Sequence, residues 1–367
     1  AVGSSDLPSF GWNYVPYVAG AIAVGYRLDE LKGATLSLSP ATINGIFGGV
    51  ISKWNDPSIA NDIKTNPTWG NSKKKSDVKG ATALWENVTT TSAKITVSML
   101  PATLKANKGK KIEWIDDTTK KVVKTLTVGT KAEASMTSAV KPTDKYSIKV
   151  GGKTIATYSQ ISVTLPDLAI QVVYRADTSG TTNNFCQYMA GASNPDWKIN
   201  DAFQSCVPGG ITAYGSRFVG QPQSNNQANY IASTNGAIGY GEVSYYTDPS
   251  RAAQGVRAAN IRNAAGKYVA PTSAGYNSHL AGGTQDEKGL ITFNWKQTAN
   301  PTAYPLGATT YGLCQTANDA KNKVVAQFFQ WVISDFGPKN AEALAYTPLL
   351  GSTATNALAL AKKCGAS

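Results

Sequence analysis

Histidine and cysteine are scarce in this chain, and their scarcity argues against metal-dependent and histidine-dependent chemistry. The 367 residues include one histidine, His279, and four cysteines. The cysteines form no Cys-x-x-Cys pair, and His279 has no neighbour at the spacing of zinc ligands. No histidine partner or cluster of carboxylates is placed to act as a general base. We therefore predict no metal site, no cofactor and no enzymatic turnover.

Long hydrophobic runs are also missing. No apolar run approaches the ~20 residues that a membrane-spanning helix needs, so no transmembrane segment is predicted. The chain does not open with a basic segment followed by an apolar one, so we expect any secretion signal to have been removed or left out of this sequence. With 42% hydrophobic and 16% charged residues, more than one domain is expected, because single cores stop growing at ~250–300 residues.

Arginine is absent between residues 68 and 166, although lysine is abundant there. This stretch has 17 lysines and seven acidic residues, so it carries a net charge of +10 out of the +12 of the whole chain. Short runs of alternating polar and apolar residues, separated by turn-like dipeptides, predict a small antiparallel β-sandwich inserted into the rest of the chain. The predicted strands are 93–100, 111–115, 121–128, 146–150 and 155–159.

The basic insertion has few aromatic residues with which to stack on bases. Trp85, Trp114, Tyr146 and Tyr158 are among the few available, and no RNP-like or zinc-finger motif occurs, so nucleic-acid binding is not predicted. Two interpretations remain open. The lysines lie on solvated strand faces and protect sheet edges from aggregation, or they attach the protein to acidic polymers or to another copy of itself.

Residues 174–182, with the sequence YRADTSGTT, follow the apolar strand-like run 168–173 and have the composition of an oxyanion site. Arg175 offers a guanidinium fork, Ser179 and Thr181 offer hydroxyls, and a helix that starts here offers free backbone N–H groups. Gly180 allows close approach of an anion, and Asp177 is placed to orient Arg175. The competing interpretation is that Ser179 or Thr181 only caps a helix while Arg175 is a solvated charge.

This segment resembles the R-x-D-x-S-G-T signature of the phosphate-binding proteins that serve ABC phosphate importers, the PstS-like proteins. Other blocks follow in the order of that family. SDLP at 5–8 resembles its acidic loop, and VPYVAGA at 15–21 resembles its next strand. The remaining blocks are LSPATINGIFGG at 38–49, KWNDP at 53–57, GAIGYGE at 236–242, FFQW at 328–331 and AYTPL at 345–349. The resemblance covers residues 1–66 and 164–367.

The resemblance implies an α/β architecture, the two-lobed periplasmic binding protein type 2 fold, with anion binding in the cleft between the lobes. Lobe one then comprises residues 1–24 and 311–367, and lobe two comprises 28–67 and 164–308. Residues 68–163 form the inserted lysine-rich β-domain, which we expect to fold by itself and to take no part in the cleft.

The resemblance also implies roles for individual residues. Asp6, which Ser5 adjoins, accepts a hydrogen bond from a protonated phosphate oxygen, whereas sulfate has no proton to offer at neutral pH. The phosphate-binding set is Ser5, Asp6, Arg175, Ser179, Gly180 and Thr181, supported by Asp177 and Thr182. Four cysteines allow three pairings, and the family-like fold favours Cys186–Cys206 and Cys314–Cys364 as disulfides of an oxidising compartment.

One departure from the family concerns the start of the chain. Family members begin with a strand, a loop, a helix and a second loop that donate groups to phosphate, and residues 1–6 correspond to a later strand. We expect that this portion is missing from the sequence, is supplied by a neighbouring subunit, or has been remodelled. The function implied is extracytoplasmic phosphate binding for an ABC permease. The alternative is a structural or adhesive surface or filament subunit that exchanges strands between subunits.

Overall fold

A computed structural model describes residues 8–89 and 91–366, which divide into two compact units. The first unit contains residues 8–29, Leu36–Ile59 and the chain from Pro166 onwards. The second unit contains Glu30–Thr35 and Ala60–Leu165, apart from the undescribed residue 90. The division of the remaining chain into two lobes, with the boundaries given above, stays a prediction.

Strands and helices alternate along the first unit, whereas strands dominate the second. The strands are β1 Trp12–Arg27, β2 Ser37–Leu38, β3 Trp69–Asn71, β4 Ala81–Thr89, β5 Ser92–Met99, β6 Lys111–Asp116, β7 Lys121–Thr127, β8 Glu133–Ala139, β9 Tyr146–Val150, β10 Lys153–Gln160, β11 Gln171–Arg175, β12 Phe218–Gln221, β13 Ala237–Glu242, β14 Val256–Ala258, β15 Asn260–Arg262, β16 Tyr268–Val269, β17 Thr284–Gln285, β18 Ile291–Thr292 and β19 Gly307–Gln315.

The helices range from one turn to about three and a half turns. They are α1 Pro40–Phe47, α2 Pro57–Thr65, α3 Pro101–Asn107, α4 Gly180–Ala192, α5 Phe203–Cys206, α6 Gln223–Ser233, α7 Val243–Thr247, α8 Pro249–Ala253, α9 Ser273–Leu280, α10 Ala320–Trp331, α11 Gly337–Asn340 and α12 Gly351–Lys363. Short 3-10 turns cover Asp29–Leu31, Thr212–Arg217 and Glu342–Leu344, and Val332–Phe336 is a π-helical turn. None of the helices in the described ranges is long and apolar enough to cross a membrane.

The main sheet of the first unit is organised around β1. Its strand order is β12-β11-β13-β1-β14, and β19 pairs with the first half of β1. Most side chains of β1 are buried, and the strand pairs with β19 along its first half and with β13 and β14 along its second half. Gly25 is required within it, since a Cβ there would lie 2.2 Å from the ring of Tyr246.

The second unit contains a β-sandwich, as the alternating runs predict. One sheet has the order β3-β10-β9-β6-β7 and the other β4-β5-β8, and all pairs are antiparallel. Both sheets contribute to one core that includes Ile95, Trp114 and Ile148. Each of the five alternating runs forms a strand. The structure also contains β3, β4 and β8, which the sequence did not predict. There is no signal for β8 in the sequence because only Met136 of its seven residues is buried.

The aromatic residues of the second unit pack in or against its hydrophobic core. Trp114, Tyr146 and Tyr158 are buried, and the ring of Trp85 stacks on that of Trp69 with 4.5 Å between centroids. The lysines occupy a different position. Lys121 and Lys124 are exposed on β7, the last strand of its sheet, and lysine on an edge strand discourages pairing with other chains.

Two disulfides close loops in the first unit. Cys186 of α4 bonds to Cys206 of α5, and Cys314 of β19 bonds to Cys364 at the end of α12. This is the pairing that the family resemblance implies. The first bond holds the helix that follows the anion loop, and the second holds the last helix against the sheet.

The single histidine of the chain is buried in the first unit, in contact with aromatic rings. The ring of His279 stacks on those of Tyr276 and Phe293, Gln297 Nε2 donates to its Nδ1 at 3.0 Å, and its Nε2 is buried without a partner in the described part of the chain. Burial lowers its pKa from 6.5 to about 4. The native state therefore favours the neutral ring, and the imidazole acts here as part of the core.

We expect His279 to make unfolding depend on pH between 4 and 6.5. The folded pKa lies below the unfolded value, so this contribution to stability is complete above pH 6.5 and is lost as the pH falls toward 4. The loss is about 3 kcal/mol. Urea unfolding of the wild type and of His279→Phe at pH 7 and pH 4 checks this, since carboxylate effects cancel in the difference. Equal losses in both proteins would contradict it.

Candidate anion-binding site

The candidate site lies where three parallel strands end. β11 pairs in parallel with β12 and with β13, and Arg175 at the end of β11 is in register with Gln221 at the end of β12. The helices α4, α6 and α7 follow these three strands. In open α/β sheets, ligands bind in the crevice beyond the carboxyl ends of the strands. The segment 174–182 therefore lies at the expected edge of the sheet.

Arg175 is held in a fixed orientation by its neighbours. Its Nε and one Nη donate to the carboxylate of Asp177 at 2.8 and 2.6 Å, and the other Nη donates to Ser224 Oγ at 2.9 Å. The hydrogen bonds between these two side chains raise the pKa of Arg175 and lower the pKa of Asp177 well below its usual range. The side chain of Arg175 is 11% exposed, so it is not a solvated surface charge. A guanidinium has five N–H donors, and these three bonds leave two for a ligand.

A residue with a strained backbone, Gln223, donates a hydrogen bond to the carboxylate that orients Arg175. Gln223 has a φ of +63°, which is unfavourable for a residue with a side chain, and its N–H donates to Asp177 Oδ1 at 3.0 Å. The strained residue therefore contributes a third hydrogen bond to Asp177. A fixed Asp177 in turn limits the rotation of the guanidinium.

Ser179 caps α4 as the competing interpretation states. Its backbone is extended, with φ −150°, and its Oγ accepts from the N–H of Thr182 at 3.5 Å. Capping uses a lone pair of the hydroxyl and leaves its hydrogen available for a ligand. The N–H groups of Gly180 and Thr181 lie in the first turn, where helix geometry supplies no partner. Apart from the adjoining residues and the backbone of α4 itself, no atom of the described residues lies within 4 Å of a Cβ built at Gly180, so they leave the space beside this turn open.

The two threonines after Gly180 contact β13. Thr181 Oγ1 donates to Glu242 Oε1 at 2.5 Å, and Thr182 Oγ1 lies 2.8 Å from the hydroxyl of Tyr240. Burial raises the pKa of Tyr240, so its hydroxyl stays protonated at neutral pH. Thr182 therefore connects the start of α4 to the sheet through Tyr240. Thr181 binds the carboxylate of Glu242, which lies at the end of β13.

Sequence reasoning missed Ser224 and Glu242. Glu242 belongs to the block 236–242, so its position was available from the resemblance although its contact with Thr181 was not. Ser224 lies 49 residues from Arg175 and carried no recognisable signal. Of the predicted residues, Arg175, Asp177, Ser179, Gly180, Thr181 and Thr182 lie together in this loop. Ser5 and Asp6 lie outside the described residues.

Two clefts are lined by residues of these contacts, Gly180 in one and Glu242 in the other. A cleft of about 670 Å³ is lined by Gly180, Asn183 and Asp201 on one side and by Thr309 and Tyr311 of β19 on the other. A second cleft, of about 280 Å³, is lined by residues of β1, β13, α7 and β19, including Gly20, Glu242 and Thr310. Within residues 8–89 and 91–366, no group of three or more histidine, cysteine, aspartate or glutamate residues is arranged to hold a metal ion.

A family model and proteins of known function are similar to parts of this chain. The family model described as PBP superfamily domain matches residues 149–335. The phosphate-binding protein PstS of Xylella fastidiosa (strain 9a5c) is 31% identical over 191 residues, which are 50% of this chain and 48% of that protein. This chain therefore spans about half the length of that relative.

Solved structures with a similar fold include the crystal structure of a DING protein. The two structures have a TM-score of 0.55 at 14% sequence identity. The matched region covers 98% of this chain and 77% of the DING protein chain. A second similar structure is that of a high-affinity periplasmic phosphate-binding protein bound with phosphate, with a TM-score of 0.52 at 17% sequence identity. The matched region covers 95% of this chain and 71% of that protein chain. At these identities the likeness shows the fold, which is the α/β fold of the two-lobed periplasmic binding proteins, here with an inserted β-sandwich.

Proposed function

Because this chain belongs to the PBP superfamily, we propose that it binds inorganic phosphate outside the cytoplasm and delivers it to an ABC importer. The observation that carries the proposal is the arrangement of Arg175. Its fork is oriented by Asp177, and α4 begins five residues later in the chain, so charge and the N–H donors of a helix start both belong to the segment that follows β11. The related PstS and the phosphate-bound structure named above support the choice of ligand.

Each donor has a proposed role in this site. The two remaining N–H groups of Arg175 bind the charged oxygens of phosphate, and the hydroxyl of Ser179 donates to a third. The N–H groups of Gly180 and Thr181 add the favourable end of the helix dipole. Ser5 and Asp6 complete the set by resemblance. Asp6 accepts from a protonated oxygen, and Ser5 adjoins it.

Binding without turnover fits the same residues. The proposed ligand shell consists of donors and carboxylate acceptors, and the buried His279 contacts aromatic rings and Gln297. We therefore propose a carrier and not a hydrolase. The two disulfides favour an extracytoplasmic location, since such bonds persist in oxidising compartments. The proposed partner is the permease of the importer.

Titration calorimetry tests this function. The protein is unfolded and refolded to strip bound phosphate, and then phosphate and sulfate are titrated separately. We expect one saturable phosphate site and at least a hundredfold weaker response to sulfate. Absence of heat from the stripped, refolded protein would contradict the proposal.

A second candidate function is a self-associating structural or adhesive subunit. Val324, Phe328 and Trp331 of α10 are spaced four and three residues apart and are 62%, 52% and 48% exposed, so one face of this helix is apolar and uncovered. In the described part of the chain, β19 has only β1 as a neighbouring strand. An apolar face beside a strand edge is a surface suited to another copy.

Sedimentation velocity distinguishes the two candidates. The subunit hypothesis predicts assembly that rises with protein concentration and that Phe328→Ser with Trp331→Ser weakens. The carrier hypothesis predicts a monomer whose sedimentation is unchanged by the two substitutions. Because these side chains are half exposed, the variant is expected to fold.

A further inference from the structure

Four segments meet at one end of the β-sandwich in the second unit. Each of them leads into a strand, and they are residues 77–80, 100–110, 128–132 and 151–152. Thr103 Oγ1 donates to the carbonyl of Lys79 at 2.7 Å, and the N–H of Val128 donates to the carbonyl of Lys110 at 2.9 Å. A Cβ built at Gly151 would lie 2.7 Å from Cδ of Lys110, so the fourth segment also belongs to this group. We call this region the lysine-rich end.

Seven exposed lysines give the lysine-rich end a strong positive charge. They lie in the four segments or begin the strand that follows one of them, and they are Lys79, Lys105, Lys108, Lys110, Lys111, Lys131 and Lys153. The four segments contain one acidic residue, Asp77, which is paired with Lys73 at 3.0 Å. Glu133, at the start of β8, accepts a hydrogen bond from Ser98 Oγ at 3.1 Å. None of the seven lysines forms an ion pair with a residue that the structure describes.

Protection of sheet edges does not account for these seven lysines. A lysine that protects an edge lies along the outermost strand of its sheet, as Lys121 and Lys124 do on β7. Lys111 and Lys153 begin β6 and β10, which have neighbouring strands on both sides, and the other five lie between strands. Like charges gathered at one end repel one another, so their arrangement favours an anionic partner.

The opposite end of the sandwich has a different charge pattern. The chain enters and leaves the sandwich there, where Trp69 of β3 pairs with Gln160 of β10. Residues 116–121 and 141–145 lie at this end and contain four lysines and three aspartates, so their charges nearly balance. The excess positive charge is therefore a property of the lysine-rich end and is not spread evenly over the sandwich.

The chemistry of the lysine-rich end defines the class of partner. Its four segments contain no arginine and no aromatic residue, so they offer neither bidentate forks nor rings on which bases stack. Ammonium groups on flexible stems suit a flexible chain with repeated charges. Release of condensed counterions makes such binding strongest for densely charged chains. Phosphate polymers carry a charge at every repeat of the backbone, whereas carboxylate polysaccharides such as alginate carry one per sugar ring.

We infer that the lysine-rich end binds a linear phosphate polymer, either inorganic polyphosphate or a polymer of glycerol phosphate. The protein is thereby attached to a polyanion through its inserted β-sandwich. This surface belongs to the second unit, whereas residues 174–182 belong to the first. The inference goes beyond the proposed function and does not depend on it.

Fluorescence anisotropy of labelled polyphosphate tests the inference with the whole chain. Saturating inorganic phosphate is present, so that the proposed site at residues 174–182 is occupied. We expect saturable binding whose affinity falls about a hundredfold when salt rises from about 50 to about 200 mM, as for about five ammonium–phosphate contacts. The variant Lys105→Gln/Lys108→Gln/Lys131→Gln should bind polyphosphate at least about tenfold more weakly, with a shallower dependence on salt.

A matched variant at the opposite end controls for net charge. Lys121→Gln/Lys141→Gln/Lys145→Gln loses the same three charges at exposed positions and should bind polyphosphate as the wild type does. Equal weakening in the two variants would mean that overall charge, and not the lysine-rich end, attracts the polymer. All six side chains are exposed, so both variants are expected to fold.

Competition identifies the class of polymer. Unlabelled polyphosphate and glycerol phosphate polymer should displace the labelled chain at lower charge concentrations than alginate does, and the tighter of the two identifies the source. Equal displacement by alginate would overturn the assignment to phosphate polymers. Sedimentation velocity without polymer examines the other partner. Self-association that the first variant abolishes, in a protein that binds no polyphosphate, would mean that the lysine-rich end contacts another copy. Either result leaves the proposed binding of inorganic phosphate untouched.

Discussion

Replacement of Arg175 by alanine is expected to weaken phosphate binding by about a thousandfold, which corresponds to about 4 kcal/mol. The substitution removes the charge and the two N–H donors that we propose to bind the ligand. It also leaves the carboxylate of Asp177 without the partner that accounts for two of its hydrogen bonds. The uncompensated negative charge then repels phosphate at short range, so the loss exceeds that of a single hydrogen bond.

The chain contains a matched control for this variant. Arg27 forms the same kind of fork with the residue two positions later, and its Nε and Nη2 donate to Asp29 at 3.0 Å each. Like Arg175 it ends a strand, but it does not lie at the end of β11. Arg27→Ala should keep wild-type phosphate affinity in the same calorimetric titration. Comparable phosphate affinity in Arg175→Ala and Arg27→Ala would show that the site lies elsewhere.

Removal of either disulfide is expected to lower the free energy of unfolding substantially. The Cys186–Cys206 bond closes a loop with a sequence separation of 20, and the Cys314–Cys364 bond one of 50. Loop-closure entropy of the unfolded chain then gives about 3 kcal/mol for the first bond and about 4 kcal/mol for the second. The second bond should contribute more because it constrains a longer stretch of the unfolded chain.

Paired Cys→Ala variants separate the two contributions. Urea unfolding of Cys186→Ala/Cys206→Ala and of Cys314→Ala/Cys364→Ala is compared with unfolding of the wild type under oxidising conditions. Treatment of the wild type with a reductant should reproduce the combined loss, and the same reductant should not affect a protein that lacks all four cysteines. Unfolding midpoints that are unchanged by either paired substitution would contradict this account.

Local patterns in the sequence predicted the parts of the molecule whose structure depends on near neighbours. Ser179 caps α4 and Arg175 pairs with Asp177 because the groups involved are two or three residues apart. The alternating runs of the lysine-rich stretch form strands because their buried apolar side chains alternate with less buried polar ones, as in β5. β8 gave no such signal, since an edge strand with one buried side chain has no apolar face to repeat.

What the sequence by itself determined, then, is the anion loop, its helix cap, the sandwich and, through the resemblance, the pairing of the cysteines. Only the tertiary structure placed Ser224 on Arg175 and Glu242 on Thr181, because those contacts join segments 49 and 61 residues apart. Parallel strands bring their carboxyl ends to one edge whatever the length of chain between them. No local pattern in the sequence shows which side chains meet there.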